Sequence, residues 1–357
     1  ELFGQQLESM MLSVTRGQEG QYQLQGSSDQ MKGSLLLQED PQLPLVVDLD
    51  HLELGKAEPD ESEVAGQEAE PTSINIEVDP SQFPAVELSS QKTRINGIDF
   101  GTLQLKTHPT KNGLFVDDAT LESEVMRVSA QGSWMQREGQ PISKFNIRVV
   151  GDELGKILSL FGYSGEIDRG DASIHIKAEW PDRPTGFSLN HMKGELEVSV
   201  EKGQLRDVDQ GIGRVFGLLG IHTLVRRLTL DFSDITDEGF PFDAIHGTFS
   251  VENGDAHTRD LQIDGPSALI KVAGRTGIVA RDYDQLVSVS PKISETLPAT
   301  GAILAGPVGA AIGSVVLLYQ KIFEKEGIAT TRYTLTGKWD APVLEEVRKV
   351  SAPVEEL

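Results

Sequence analysis

No cysteine occurs among the 357 residues, which excludes disulfides, thiolate metal sites and a cysteine nucleophile. Basic residues are scarce: 32 Lys and Arg face 55 Asp and Glu, a formal charge of −23. Nucleic-acid binding rests on clustered Lys and Arg that neutralise phosphate, so this balance excludes a nucleic-acid partner. Aromatic residues are few, with 3 Trp and 5 Tyr, too sparse to line a carbohydrate cleft. No His-Glu-x-x-His, Gly-x-Ser-x-Gly or Walker sequence is present. The chain opens ELFGQQLESMMLSV, without an initiator Met or a basic segment leading into an apolar one. It reads as a piece of a longer protein whose targeting signal lies upstream.

What remains is a period of two. In GELEVSVEKGQL, Leu196, Val198 and Val200 alternate with Glu195, Glu197, Ser199 and Glu201. RRLTLDF sets Leu228, Leu230 and Phe232 on one face, and the Asn253-Gly254 pair predicts a hairpin between strands carrying Phe249 and Val251, then Leu261 and Ile263. SALIKVAG places Ala268, Ile270 and Val272 together, and YDQLVSVSP does the same for Tyr283, Gln285, Val287 and Val289. PLVVDLDHLEL, SINIEV and LFVDDATLESEVMRVSAQGSW repeat the theme upstream. The pattern predicts a meander of antiparallel strands with one apolar and one polar face.

Several segments break this rhythm. Residues 54–72 are acidic, contain Pro and are nearly free of large apolar groups, which predicts a flexible, solvated loop. DELGKILSLFG (152–162) and GIGRVFGLLGIHTLVRRL (211–228) carry apolar residues at helical spacing, predicting helices near 152–162 and 211–226. The longest charge-free stretch is TLPATGAILAGPVGAAIGSVVLLYQ (296–320). Pro298 and Gly306-Pro307 interrupt it, leaving Val308–Phe323 as one helix of about 24 Å, short of the ~30 Å hydrocarbon core. It reads as an apolar cap over 297–326, with Val308, Ile312, Val315, Val316 and Leu318 on the surface that either plugs a core or meets a membrane.

Candidate chemistry is thin. DVDQGIG (207–213) resembles a calcium loop, but its Gly comes one place early and Leu218 stands where a bidentate Glu is needed. The glycines of GIGRVFG are wrongly spaced for a dinucleotide. His191, His222, His246 and His257 are scattered, and the carboxylates Asp231, Asp234, Asp237, Glu238 and Asp243 fit the polar outer face of a sheet. The residues point to a protein that is not an enzyme, with no catalytic, metal or cofactor-binding set.

Longer words carry a resemblance. WPDRPTGFSLNHMKGELEVSVEKGQL, GRVFGLLGIHTLVRRLTLDFSDI, GFPFDAIHGTFSVENGDAHTRDLQIDGPSALIKVAGRTGIVARDYDQLVSVSP and YTLTGKWDAP closely resemble the C-terminal region of the YhdP family of AsmA-like proteins, more distantly related to TamB and AsmA. The similarity runs from about Phe83 to Leu344. It implies an elongated, curled antiparallel β-sheet forming an open groove, with a few covering helices near its C-terminal end. It also implies part of a bridge-like carrier of phospholipids between the inner and outer membranes of Gram-negative bacteria, crossing the periplasm and supporting the outer-membrane permeability barrier, with an N-terminal inner-membrane anchor outside this fragment. The implied partners are phospholipid acyl chains and an outer membrane or a docking protein there; no cofactor is implied.

The expected organisation is a β-rich segment over 1–53, the acidic loop, a β-groove over 73–296, the cap, and a final strand and tail over 327–357. The alternation alone fits a closed β-sandwich core as well as a groove. On the groove reading, Leu196, Val198, Val200, Leu228, Leu230, Phe249, Val251, Ile263, Ile270, Val272, Val287 and Val289 are the lipid-facing candidates. On the sandwich reading they seal a scaffold for envelope proteins.

Overall fold

The structure, a computed structural model, describes residues 11–17, 21–40, 42–55, 79–161, 167–205, 240–292 and 330–347. They build an open, almost wholly antiparallel sheet of seventeen strands that does not close on itself. Among the described residues, strands that follow one another in sequence pair with one another. The chain divides into two compact units, residues 1–151 with 175–192, and residues 152–174 with 193–357.

The first unit contains β1 (Met11–Arg16), β2 (Tyr22–Ser27), β3 (Met31–Leu37), β4 (Leu45–Leu54), β5 (Val86–Ile95), β6 (Ile98–Thr110), β7 (Gly113–Glu122), β8 (Arg127–Arg137), β9 (Gln140–Gly151) and the last part of β10 (Ile167–Trp180). Two of its hairpins, at Asn96-Gly97 and Glu138-Gly139, use two-residue turns with both residues left-handed. Asn96 and Gly97 have φ of 50° and 79° between the paired Ile95 and Ile98. Such turns match the right-handed twist of the strands they join. A compact cluster of Val47, Leu49, Leu52 and Leu88 sits on β4 and β5, with Leu35, Leu103 and Leu105 packed around it.

One pair departs from the meander: β4 and β5 run parallel, Leu45 opposite Val86 and Leu54 opposite Ile95. A parallel pair cannot be joined by a hairpin, because the chain must travel back along the strand before re-entering the sheet. That requirement explains why a long acidic stretch stands between two β-rich segments. The return is about 30 Å for a nine-residue offset at ~3.3 Å per residue. It ends at Asp79, whose carboxylate accepts hydrogen bonds from Ser81 Oγ (2.7 Å) and Ser81 N (2.9 Å) and caps the short turn Pro80–Gln82. The bonds from Ser81, side chain first, hold that carboxyl below its usual pKa.

The second unit contains the helix α1 (Leu154–Leu160), the first part of β10, β11 (Lys193–Leu205), β12 (Phe240–Glu252), β13 (Asp255–Asp264), β14 (Ala268–Gly277), β15 (Asp282–Pro291), β16 (Thr331–Lys338) and β17 (Ala341–Glu346). The helix falls within the expected 152–162, and its buried Leu154 and Ile157 are one turn apart. It rides close to the strands, since a Cβ on Gly155 would stand 2.3 Å from the Ile167 carbonyl oxygen. The Asn253-Gly254 hairpin forms as its sequence predicts, with φ of 52° and 81° between paired Glu252 and Asp255. At one end of this unit Arg275 bridges Asp255 and Asp282, 2.9 Å from each. Partial burial opposes its charge, but the two carboxylates outweigh that and hold its pKa above the usual value. The expected helix at 211–226, the strand at 228–232 and the apolar cap at 297–326 lie outside the described residues.

The parallel pair sets a length limit that can be tested. With Glu58–Glu70 replaced by a short Gly/Ser link, residues 56–57 and 71–78 alone still reach about 34 Å at ~3.4 Å per residue, before the link is counted. The melting temperature of that variant should change little, because closure entropy depends weakly on length. Cutting the connection between Gly55 and Asp79 to about five residues leaves ~17 Å of reach and should destabilise the first unit cooperatively. Thermal denaturation of the two variants checks this; an equal loss in both would show that residues 58–70 are needed for more than reach.

Candidate functional site

Residues opposite one another in a ladder share a face, so the register identifies what each face of the sheet presents. In the first unit one row reads Val14, Leu24, Leu35, Val47, Leu88, Leu105, Ala119, Ala130, Ile147 from β1 to β9. The row next to it continues with Leu49, Ser90, Leu103, Leu121, Val128 and Val149. The row on the opposite face reads Ser13, Gln25, Ser34, Asp48, Ser89, Gln104, Thr120, Ser129, Arg148. Nine strands therefore hold an apolar and a polar face in register, through bulges in the β6–β7 and β7–β8 pairs.

The polar face is finished with exposed pairs such as Lys106–Glu87 (3.3 Å), Lys144–Glu179 (2.7 Å) and His108–Asp117 (2.7 Å). Each contributes little to stability, but together they keep that face in water. A cavity of about 700 Å³ over β1–β5 is lined mainly by this side, including Ser13, Gln25, Ser34, Asp48 and Ser89.

The apolar face of this unit is only half covered. Val47 and Leu88 are buried, whereas Leu24, Leu35, Leu103, Leu105, Leu121, Val128 and Ile147 are intermediate, and Val14 is 60 % exposed. Apolar surface left partly in water at this scale gains free energy when another apolar body covers it.

The second unit uses the same alternation differently. Val200, Ile245, Ile263, Ile270 and Val289 form one row, with Leu261, Val272 and Val287 beside it and Leu196 opposite Phe249. The register thus brings Leu196, Val198, Val200, Phe249, Val251, Ile263, Ile270, Val272, Val287 and Val289 onto one face. Of these, Leu196 and Val198 are half-buried, and the others are exposed by 5 % or less. On β14 and β15 the other face is covered too, at Ala273 and Leu286. Leu228, Leu230, Val308, Ile312, Val315, Val316 and Leu318 lie outside the described residues. The half-open apolar row of the first unit was not singled out from sequence, although VELSSQKTRI, FGTLQLKT and LFVDDATL carry the same alternation.

Among the described residues no group of three or more His, Asp or Glu is placed to hold a metal ion, and no helix is long and apolar enough to cross a membrane.

These features define a many-stranded open β-sheet with one apolar and one polar face. The family model described as YhdP protein matches residues 1–344, and the chain belongs to that family. The intermembrane phospholipid transporter YhdP of Escherichia coli (strain K12) is 26 % identical over 267 residues, covering 74 % of this chain and 21 % of that protein. The chain therefore spans about a fifth of that relative's length. No solved structure matches it.

Burial separates two otherwise similar substitutions. Val251→Asp places a carboxylate at a site 3 % exposed, which costs several kcal/mol, a large part of a domain's stability. Val198 is half-buried opposite Gly247, so Val198→Asp keeps a route to water. Circular dichroism and thermal melting should show Val251→Asp unfolded or strongly destabilised and Val198→Asp native-like. Equal losses would mean that the two positions share one environment.

Proposed function

We propose that the chain carries phospholipid acyl chains on its apolar face, as one section of a longer protein that passes lipid between the inner and outer membranes. The observation that carries this reading is the half-covered apolar row running in register across nine strands. Adjacent strands are about 4.8 Å apart, so the row extends over roughly 38 Å. An acyl chain laid on it gains about 0.8 kcal/mol for each methylene removed from water, without requiring any polar group of the protein to be desolvated. The polar face outside keeps the protein soluble in an aqueous compartment, on this reading the periplasm, and the cargo needs no chemistry done to it. Membership of the YhdP family and the transport role named for the Escherichia coli relative support this reading.

In the second unit Leu196 and Val198 are the positions open enough to touch lipid as the face stands. The other groove candidates would do so only where their covering moves aside. That sealed packing favours a second reading for this part alone, a rigid scaffold for other envelope proteins.

Neighbouring residues on β6 provide the test. Leu105 lies on the apolar row and Gln104 on the polar one. Leu105→Asp should leave circular dichroism native-like while phospholipid co-purifying with the protein, measured by mass spectrometry, falls to a small fraction of wild type. Gln104→Asp should retain the wild-type amount. In the full-length protein the first change should make the outer membrane leaky and the second should not. Equal lipid in both folded variants would reject the apolar face as the carrier.

A further inference from the structure

We infer that the loop joining β10 to β11 is a lateral mouth through which a single acyl chain passes between solvent and the apolar face of the first unit; this rests on the lipid-carrying reading above. The path is aromatic. Phe145 lies on the apolar face, opposite Gly132, where its ring fills the space a Cβ would occupy at 2.5 Å. It stacks on Trp180, centroid to centroid 5.5 Å at 20°. Trp180, 5 % exposed, meets Phe187 edge-on at 5.3 Å and 89°. Phe187 is 49 % exposed and Leu189, two residues on, is 37 % exposed. Three rings thus lead from a half-covered interior row to an apolar tip in solvent.

The tip is held outward by hydrogen bonds. Ser143 Oγ, fully buried, donates to the Asp182 carbonyl (2.7 Å), and Trp180 Nε1 donates to the Arg183 carbonyl (3.0 Å). Gly186 N donates back to the Arg183 carbonyl (2.9 Å), and Met192 N to that of Ser188 (3.0 Å). The indole that forms the middle of the path therefore also fixes the turn that displays Phe187. Between Gly186 and Asn190 the loop carries no charge, so nothing on the tip obstructs a hydrocarbon chain.

The size of the tip selects its occupant. Two half-exposed side chains offer on the order of 200 Å² of apolar surface. A stable protein interface needs about 800 Å² from each partner. A lone acyl chain, apolar along its length and one methylene wide, matches both the area and the linear arrangement of the rings.

Photo-crosslinking tests this with p-benzoylphenylalanine placed in the 357-residue chain at Phe145, Phe187 or Asn146. Asn146 follows Phe145 on β9 and faces the polar side. Each protein is incubated with vesicles of phosphatidylethanolamine and phosphatidylglycerol, separated from them by gel filtration, and only then irradiated. Adducts of one phospholipid mass are expected at Phe145 and Phe187, and none above background at Asn146. An adduct at Phe145 without one at Phe187 overturns the mouth while leaving the lipid-bearing face intact. Adducts at neither position overturn both. An adduct at Phe187 only when vesicles are present during irradiation overturns the mouth in favour of a loop that dips into a membrane. As a second measure, Phe187→Asp combined with Leu189→Asp, both at exposed positions, should slow uptake of fluorescent phospholipid about tenfold with unchanged circular dichroism. Unchanged uptake in this folded variant also overturns the proposal.

Discussion

Everything in this protein depends on strand register. The side-chain period along a strand is two, so a slip by one residue would move every apolar group to the water side. Across β1 to β9 the apolar row is never lost, even though four of the pairs contain bulges or irregularities. A bulge between Lys106 and Thr107 on one ladder and one between Val116 and Ala119 on the next occur close together, and Leu105, Ala119 and Ala130 remain opposite one another. The irregularities are absorbed locally, and the apolar row crosses them. The parallel pairing of β4 with β5 preserves the same alignment, Val47 against Leu88, at the cost of a long return connection.

The two units then treat the same alternation in opposite ways. In the second, small and β-branched residues at Val200, Ile263, Ile270, Val272 and Val287 are covered to within 1 % of complete burial. Adding a charge there meets the full penalty of desolvation. In the first, Leu103, Leu105, Leu121 and Ile147 remain half open. A body with no charge and no directional hydrogen bonds can lie on such a surface at any position, which suits a cargo that moves. The aromatic contacts from Phe145 through Trp180 to Phe187 continue that surface to the tip of the loop before β11.

Much of this was legible in the sequence because a strand records its two faces residue by residue. GELEVSVEKGQL and ALIKVAG announce their apolar residues by alternation, and Asn253-Gly254 announces its turn by the left-handed backbone both residues tolerate. The apolar stripe of Leu154 and Ile157 likewise announces α1. What sequence could not give is burial. Val198 and Val251 look alike in alternation, yet one is half open and the other sealed, since covering depends on groups distant in the chain. The parallel pair was equally hidden, because local pattern does not say which way a returning strand will run. Nor does spacing reveal that Phe145, Trp180 and Phe187 meet, being brought together by the β9–β10 pairing and by the hydrogen bonds of the loop that follows.

The central claim is that lipid lies on the half-open apolar face of the first unit and not among the sealed residues of the second. Methyl-labelled NMR with a phospholipid carrying a nitroxide on its acyl chain tests it most directly. The account predicts strong broadening of the methyl signals of Leu35, Leu103, Leu105 and Leu121, with those of Ile263, Ile270 and Val287 unaffected. Sharp signals at Leu103 and Leu105 under conditions where lipid is bound, or broadening confined to Ile263, Ile270 and Val287, would contradict it.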